Sequence, residues 1–400
     1  MTSNTTGTVR HIGDDERRVR LARAHLLSPE ARAESAEDVA RALVALHGTD
    51  PATVYLAVGA RLVDASGTVA DVERALYEDR TLVRMHGMRH TVFTFPTELA
   101  ATVHASTGLA VAAKARAALL KDMVSGSDGR LTPEWLAEVE ASALAALERR
   151  GEATVSELTV DEPRLKERFT YGRGRSYEAP HTVSSRLMRV LGVEGRVVRG
   201  RPLGSWTSTQ FRWAVAPPHP ELPVAEAQAE LLRRWLGACG PATEGDLKWW
   251  TGWKVTDVRK ALASVGAAAV SLDGGGTGYV LPDLVDAPDD GVEPWAALLP
   301  ALDPTAMGWQ ERDWYCPPEL RPALFDGSGN IGPTVWWNGR IVGGWGQGAD
   351  GEVVWRLLDT SGGRKAERAV AAEAERLAAW LGTTRVTPRF RTPLEKELSS

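Results

Sequence analysis

The sequence predicts an α+β chain in which three helix-rich units, each closed by a hairpin, precede a strand-rich C-terminal module. Three observations predict it. Helical periodicity gives way to a short β-prone pair around glycine three times between residues 16 and 288. The second and third passages share a signature, Gly151-Glu-Ala-Thr154 and Gly240-Pro-Ala-Thr243, each after a helical segment with Arg-Arg near its end. Beyond the acidic linker 283–290 the texture changes, and Pro333-Thr-Val-Trp-Trp-Asn338-Gly339 announces a hairpin between alternating segments.

Residues 1–15 read as a loose polar tail, and the first helix covers Val19–Leu27. Ser35 caps a second helix from Ala36. Its apolar end runs through Leu46 into His47-Gly48-Thr49-Asp50-Pro51, where Asp50 as cap and Pro51 at the first helical position start another helix to about Arg61. His47 and Thr49 therefore sit on a tight corner between two helices, a place where polar side chains are presented from a rigid frame. A helix over Val69–Tyr77 leads into a basic hairpin, Leu82–Phe95, with Gly87 at its turn and Arg84, Arg89 and His90 along it. Helices followed by a basic hairpin are the plan of a winged helix.

The plan recurs. In the second unit a helix over 132–150 and a short helix capped at Thr154 precede a recognition helix at His181–Leu191 bearing Arg186 and Arg189, and a wing at Gly195–Pro202 bearing Arg199 and Arg201. The third has helices at Ala225–Leu236, Thr243–Thr251 and Val255–Leu262, the last carrying Arg259, and a wing over 269–281. The C-terminal part adds strands, a helix over 365–381 and a basic strand-like tail over 387–391. The expected fold class is thus α+β: three tandem winged-helix (helix-turn-helix) units at 16–125, 126–218 and 219–288, with a C-terminal β-barrel-like module at 289–400.

A net charge of −5 excludes a uniformly basic coat but permits a local basic face. Cys239 and Cys316 lie far apart without metal-ligand spacing, so no disulfide framework, metal or cofactor is expected. The N-terminus lacks an apolar leader and no apolar run reaches membrane-spanning length, which predicts a cytoplasmic chain. Between residues 164 and 201 ten basic residues face only Glu167, Glu178 and Glu194, and Tyr171-Gly-Arg173-Gly-Arg175-Ser-Tyr177 reads as a loop that contacts DNA. A solvated charged face is the alternative. Trp249-Trp250 reads as core, whereas Ser205 and Trp206 in a Gly-Ser-Trp turn are candidate DNA contacts.

Over residues 15–390 these blocks, taken in order, resemble the winged-helix superfamily that includes the AlkZ-like DNA glycosylases. The corner at 46–57, Met85-His-Gly-Met-Arg89-His90-Thr91, Arg199–Trp213, Asp246-Leu-Lys-Trp249-Trp250 and Leu299-Pro300-Ala-Leu-Asp303-Pro304 carry the resemblance. It implies a concave protein on double-stranded DNA that removes alkylated purines, including bulky adducts and crosslinks of natural-product alkylators, without metal or redox cofactor. The implied role is DNA repair or self-resistance to an antibiotic. The family signature is Gln-x-Gln or Gln-x-Asp in the corner. Alignment on Leu46 and Tyr55-Leu56 puts His47 and Thr49 at those positions.

An alkylated, cationic purine is already a good leaving group, so the enzyme needs a positioned water and a stabilised oxocarbenium-like sugar. A neutral imidazole can accept the water's proton. The expected catalytic set is His47, Thr49 as water holder, and Asp50, which orients His47 or favours the developing positive charge; helix capping is the competing use of Asp50. The expected DNA contacts are Arg84, Arg89, His90, Arg173, Arg175, Arg186, Arg189, Arg199, Arg201, Ser205, Trp206 and Arg259. Three different wings suit a monomeric, monofunctional glycosylase wrapping a duplex, not a dimer on a palindrome. The rival reading is a non-catalytic winged-helix DNA binder, either a regulator or a lesion sensor.

Overall fold

A computed structural model describes residues 9–287 and 291–400; the first part of the expected tail and linker residues 288–290 lie outside the described residues. The tail is ordered sooner than expected. Strand β1 (His11–Ile12) pairs parallel with a strand of the third group, and helix α1 (Asp14–Ala24) follows at once. Ile12 is the reason: it is fully buried with Val270, Leu272 and Val280.

The first group then runs α2 (Ala36–Leu43), β2 (Leu46–His47), α3 (Pro51–Gly59), α4 (Thr68–Glu73), β3 (Leu82–His86) and β4 (Val92–Pro96). The Ser35 side chain accepts from the Asp38 amide at 3.2 Å, so the cap expected there forms. A short α5 (Ala100–Val103) continues toward the long α6 (Leu109–Gly126). The second group comprises α7 (Pro133–Arg150), β5 (Glu152–Ala153), α8 (Val155–Asp161), a side hairpin β6 (Arg168–Tyr171) and β7 (Ala179–Thr182), α9 (Val183–Val193), β8 (Val197–Pro202) and β9 (Phe211–Val215). The third comprises α10 (Val224–Cys239), α11 (Glu244–Thr251), α12 (Val255–Ser264), β10 (Ala268–Leu272) and β11 (Thr277–Val280).

The three groups share a strand order. A short first strand lies beside the last, giving β2-β4-β3 and β5-β9-β8. In the third group Ala242 bridges to Tyr279 of β11, which pairs with β10. Thr154 with Glu157, and Thr243 with Asp246, form reciprocal capping boxes at α8 and α11, so the shared Gly-x-Ala-Thr signature marks the same turn in both groups.

The C-terminal part corrects the barrel expectation. Strands β12 (Ala296–Leu299), β13 (Thr334–Trp337), β14 (Arg340–Gln347) and β15 (Val353–Leu357) make an open antiparallel sheet, with a short helix α13 (Arg321–Leu324) between β12 and β13. Helices do the work that closure would do. Ala296, Leu298 and Val335 bury one face with Val370 and Ala374 of α14 (Gly363–Leu381). Ala297, Leu299 and Trp336 bury the other with Leu394 and Leu398 of α15 (Pro393–Leu398). The Asn338-Gly339 hairpin forms as expected between β13 and β14, with positive φ at both residues. Residues 387–391 form no strand.

One buried network ties the first group to the C-terminal part. Arg61 and Asp303 are both fully buried and paired bidentately at 2.7 and 2.9 Å. Arg61 also donates to the carbonyls of His25 (2.9 Å) and Ala57 (2.8 Å) and to Thr305 Oγ1 (2.8 Å). The Thr305 amide returns to Asp303 at 2.9 Å. Every charge is satisfied, and breaking one side strands the other. Asp303→Ala is expected to lower the unfolding free energy by about 3–5 kcal/mol, whereas Arg61→Met with Asp303→Leu recovers most of that loss. Urea denaturation of the three proteins measures both.

Candidate nucleic-acid interface and hydrolytic corner

The first hairpin divides the site into two faces. Cross-strand partners share a face, and Leu46–Thr94–Arg84 run across β2, β4 and β3 on one side while His47–Phe93–Met85 run across on the other. The corner is thus the edge of the hairpin's own sheet, held further by the Gly48 amide on the Val92 carbonyl at 2.8 Å.

The His47 ring is half-buried and set edge-on to Phe93 at 5.4 Å. It faces a small cavity of about 30 Å³ shared with His25, Arg89, Trp250 and Leu302, which is room for a water or two. Its Nδ1 is buried without a hydrogen-bond partner. Burial first, and the Arg89 guanidinium second, pull its pKa down to about 4, so the ring is neutral at physiological pH. His25, on the cavity's opposite wall, is held by Thr305 Oγ1 at 2.8 Å and is drawn down to about 3 by burial and by Arg61. Thr49 is half-buried two residues on.

Asp50 does not orient His47. One carboxylate oxygen caps α3 by accepting from the Ala52 amide at 3.2 Å, and the other accepts from the Arg389 amide at 2.9 Å. The carboxylate is a cap and a latch for the C-terminal segment.

The hairpin tip is built against steric preference. Met88 to Thr91 closes a four-residue turn (Thr91 N to Met88 O, 3.0 Å) with Arg89 at φ 53° and His90 at φ 61°. Two positive-φ residues at the turn centre are a type I′ arrangement that favours Asn-Gly. Here Arg89 and His90 occupy it. Arg89 lies 4.4 Å over the Trp249 ring, which Arg312 also covers at 5.3 Å. Gly252 makes this possible: its φ is +74°, and a Cβ there would meet Arg89 Cγ at 3.0 Å.

Around this hairpin lies a run of arginines with no acidic partner among the described residues: Arg84, Arg89, Arg186, Arg189, Arg199, Arg312 and Arg389. Arg199 is largely buried, and burial followed by the neighbouring Arg84, Arg389 and Arg189 lowers its pKa to about 10. Burial, then Arg199 and Arg189, drives His86 down to about 3. Arg189 is exposed beside His90 on α9. Arg186 stacks on Tyr171 at 3.6 Å, and exposed Arg175 lies 5.9 Å from the Tyr177 ring centre. Like charges held together without counter-charge disfavour the free protein and prepare an anion site.

Other expected contacts are placed differently. Arg173 is paired with Asp128, Arg201 with Glu73 (2.7 Å) and Glu78 (3.3 Å), and Arg259 with Glu244 (3.0 Å). Trp206 is no exposed stacking platform: it is buried between Tyr55 (5.1 Å) and Trp380 (5.8 Å). Ser205 is exposed and bonded to Thr207 at 2.8 Å. Sequence reasoning missed Arg312 and Arg389 as members of the cation run; Arg389 carried a signal, in the basic segment that was expected as a strand.

The profile of the family described as "DNA glycosylase AlkZ-like" matches residues 40–380. The chain belongs to the AlkZ-like DNA glycosylase family. The DNA glycosylase AlkZ of Streptomyces sahachiroi, a solved structure, superposes with a TM-score of 0.66 at 22% identity, over 94% of this chain and 98% of that one. A sequence comparison with curated proteins finds no match. For a member of this family, an acid-free arginine run beside a hairpin is an electrostatic form suited to DNA. No described helix is long and apolar enough to cross a membrane.

Two outcomes follow from the geometry. Replacing Arg89-His90 by Asn-Gly relieves the turn and is expected to stabilise the fold by about 1 kcal/mol while weakening DNA binding, as measured by urea midpoints and DNA titration. His25, His47 and His86 are neutral in the fold with pKa values of about 3, 4 and 3, against 6.5 when unfolded. Their contribution is whole above pH 6.5 and lost as pH falls toward 4, by on the order of 1 kcal/mol per pH unit for each ring. Melting temperature measured against pH should therefore drop below pH 6, and His47→Gln should make the drop shallower.

Proposed function

We propose that this chain is a DNA glycosylase that hydrolyses the N-glycosidic bond of bulky cationic alkylpurines, crosslinked ones included, in duplex DNA. The observation that carries the reading is the acid-free group Arg89, Arg186, Arg189 and Arg312 around the hairpin tip, with the His47 corner at the edge of the same sheet. The recurring strand order supports reading the three groups as tandem winged helices, with exposed Arg189 of the second and the Arg89-His90 tip of the first on the DNA backbone. Three unlike hairpins suit a monomer around one duplex, and the family places that work in DNA repair.

In the reaction, a water held between His47 and Thr49 attacks C1′. The C1′–N bond breaks, its electron pair neutralises the cationic purine, and the water's proton passes to the imidazole. A ring with pKa about 4 is a ready acceptor only above that pH and a weak base. The cationic leaving group makes a weak base sufficient. Asp50 serves indirectly, by fixing the start of α3 and the Arg389 segment.

The second reading, a DNA binder without catalysis, is favoured by one observation: His47 lies on the sheet face opposite Arg84 and is turned toward the interior cavity. Single-turnover base release from a duplex with one bulky alkylpurine separates the two. Wild type is expected to release the base, with His47→Ala slower by about 10²-fold or more and DNA affinity within a few-fold. If wild type binds this duplex tightly and releases nothing, the catalytic reading fails and the binder stands. Arg89→Ala with Arg189→Ala should lower the slope of log affinity against log salt by about 2.

A further inference from the structure

A second cavity is much larger than the one at the His47 corner. It lies between β3 of the first group and β8 and β9 of the second, with a volume of about 460 Å³, within the ~300–1,000 Å³ of small-molecule sites. Its walls are mainly apolar, with Leu82, Met85 and Val215 among them. Three arginines line it, exposed Arg80, half-buried Arg199 and buried Arg84. The acidic residue on its wall, Glu98, is held by Arg41 at 3.0 Å.

Arg84 is only 3% exposed, yet its Nε and Nη2 have no hydrogen-bond partner, and Arg199 Nε has none either. A buried cation with unmade hydrogen bonds is costly to the fold. The cavity that Arg84 lines is where an anion small enough to enter the fold comes nearest to it. The anion's remaining atoms then meet apolar walls.

The geometry points to a binding site for a small apolar carboxylic acid, its carboxylate on Arg84 and Arg199 and its body among the apolar residues between the first hairpin and the second group. The site is separate from the hydrolytic corner, because the two cavities share no lining residue. Its occupant touches both the hairpin and the second group, so it fixes their relative position.

Calorimetric titration of the full chain with 1-naphthoate and its neutral isostere 1-naphthamide tests this. Wild type is expected to bind the acid at least about tenfold more tightly than the amide. Arg84→Met should abolish that preference, with a melting temperature equal to or above wild type, since it removes an unpaired buried charge. Arg84→Lys should keep part of the preference, and Ala101→Trp, on the cavity wall, should abolish binding of both compounds. Equal binding of acid and amide by wild type overturns the proposal. So does a preference that survives Arg84→Met, or a fall in melting temperature in that variant, which would make Arg84 structural. Loss of affinity for unmodified duplex in Arg84→Met also overturns it, by assigning the guanidinium to the DNA backbone; that result leaves the glycosylase reading intact.

Discussion

The buried pair of Arg61 and Asp303 is the constraint on which the site geometry depends. Arg61 follows the end of α3, and Asp303 lies on the loop after β12, more than two hundred residues away in the chain. Their union sets the loop so that Ala301 accepts from Thr53 at 3.0 Å and so that Leu302, at φ 60°, forms a wall of the His47 cavity. Through Thr305 it also sets His25, which reaches Cys239 of α10 at 3.6 Å. One ion pair thereby registers the first group, the third group and the C-terminal sheet around a single small cavity. A hydrophobic contact of equal strength would slide; a bidentate fork with every guanidinium donor engaged has one geometry.

The arginine run is the opposite kind of arrangement. Arg61 is buried and completely satisfied, whereas buried Arg84 and half-buried Arg199 are incompletely so. The strained tip at Arg89-His90 adds to the same side of the balance. Sites that spend stability in this way are those where a ligand supplies the missing partner. Arg173, Arg201 and Arg259, by contrast, are neutralised by Asp128, Glu73 and Glu244, which counting charges along the sequence does not reveal.

Local chemistry was legible in the sequence. Ser35, Asp50, Thr154 and Thr243 cap the helices assigned to them, and Asn338-Gly339 turns its hairpin. These signals act within four residues, and nothing distant overrides them. Long-range partnerships were not legible. Glu73 and Asp128 lie 128 and 45 residues from the arginines they neutralise, and the burial of Trp206 depends on Trp380 of α14. The barrel expectation failed for a related reason: alternation shows that strands have two apolar faces, but not whether closure or helices cover them. The tip turn was misplaced at Gly87 because an Arg-His pair carries no positive-φ signal.

The departure from the family signature has a physical logic in this fold. Two amides position water by hydrogen bonding and need no defined protonation state. An imidazole in their place must be kept neutral to accept a proton at all, and this corner keeps it neutral by burial against Phe93 and by the nearby Arg89 charge. The same two causes limit how basic His47 can be. A corner of this kind suits only a leaving group that departs with little assistance, and a purine carrying a full positive charge is such a group. On the reading proposed above, the sheet that turns His47 away from Arg84 keeps the water-handling group apart from the buried guanidinium.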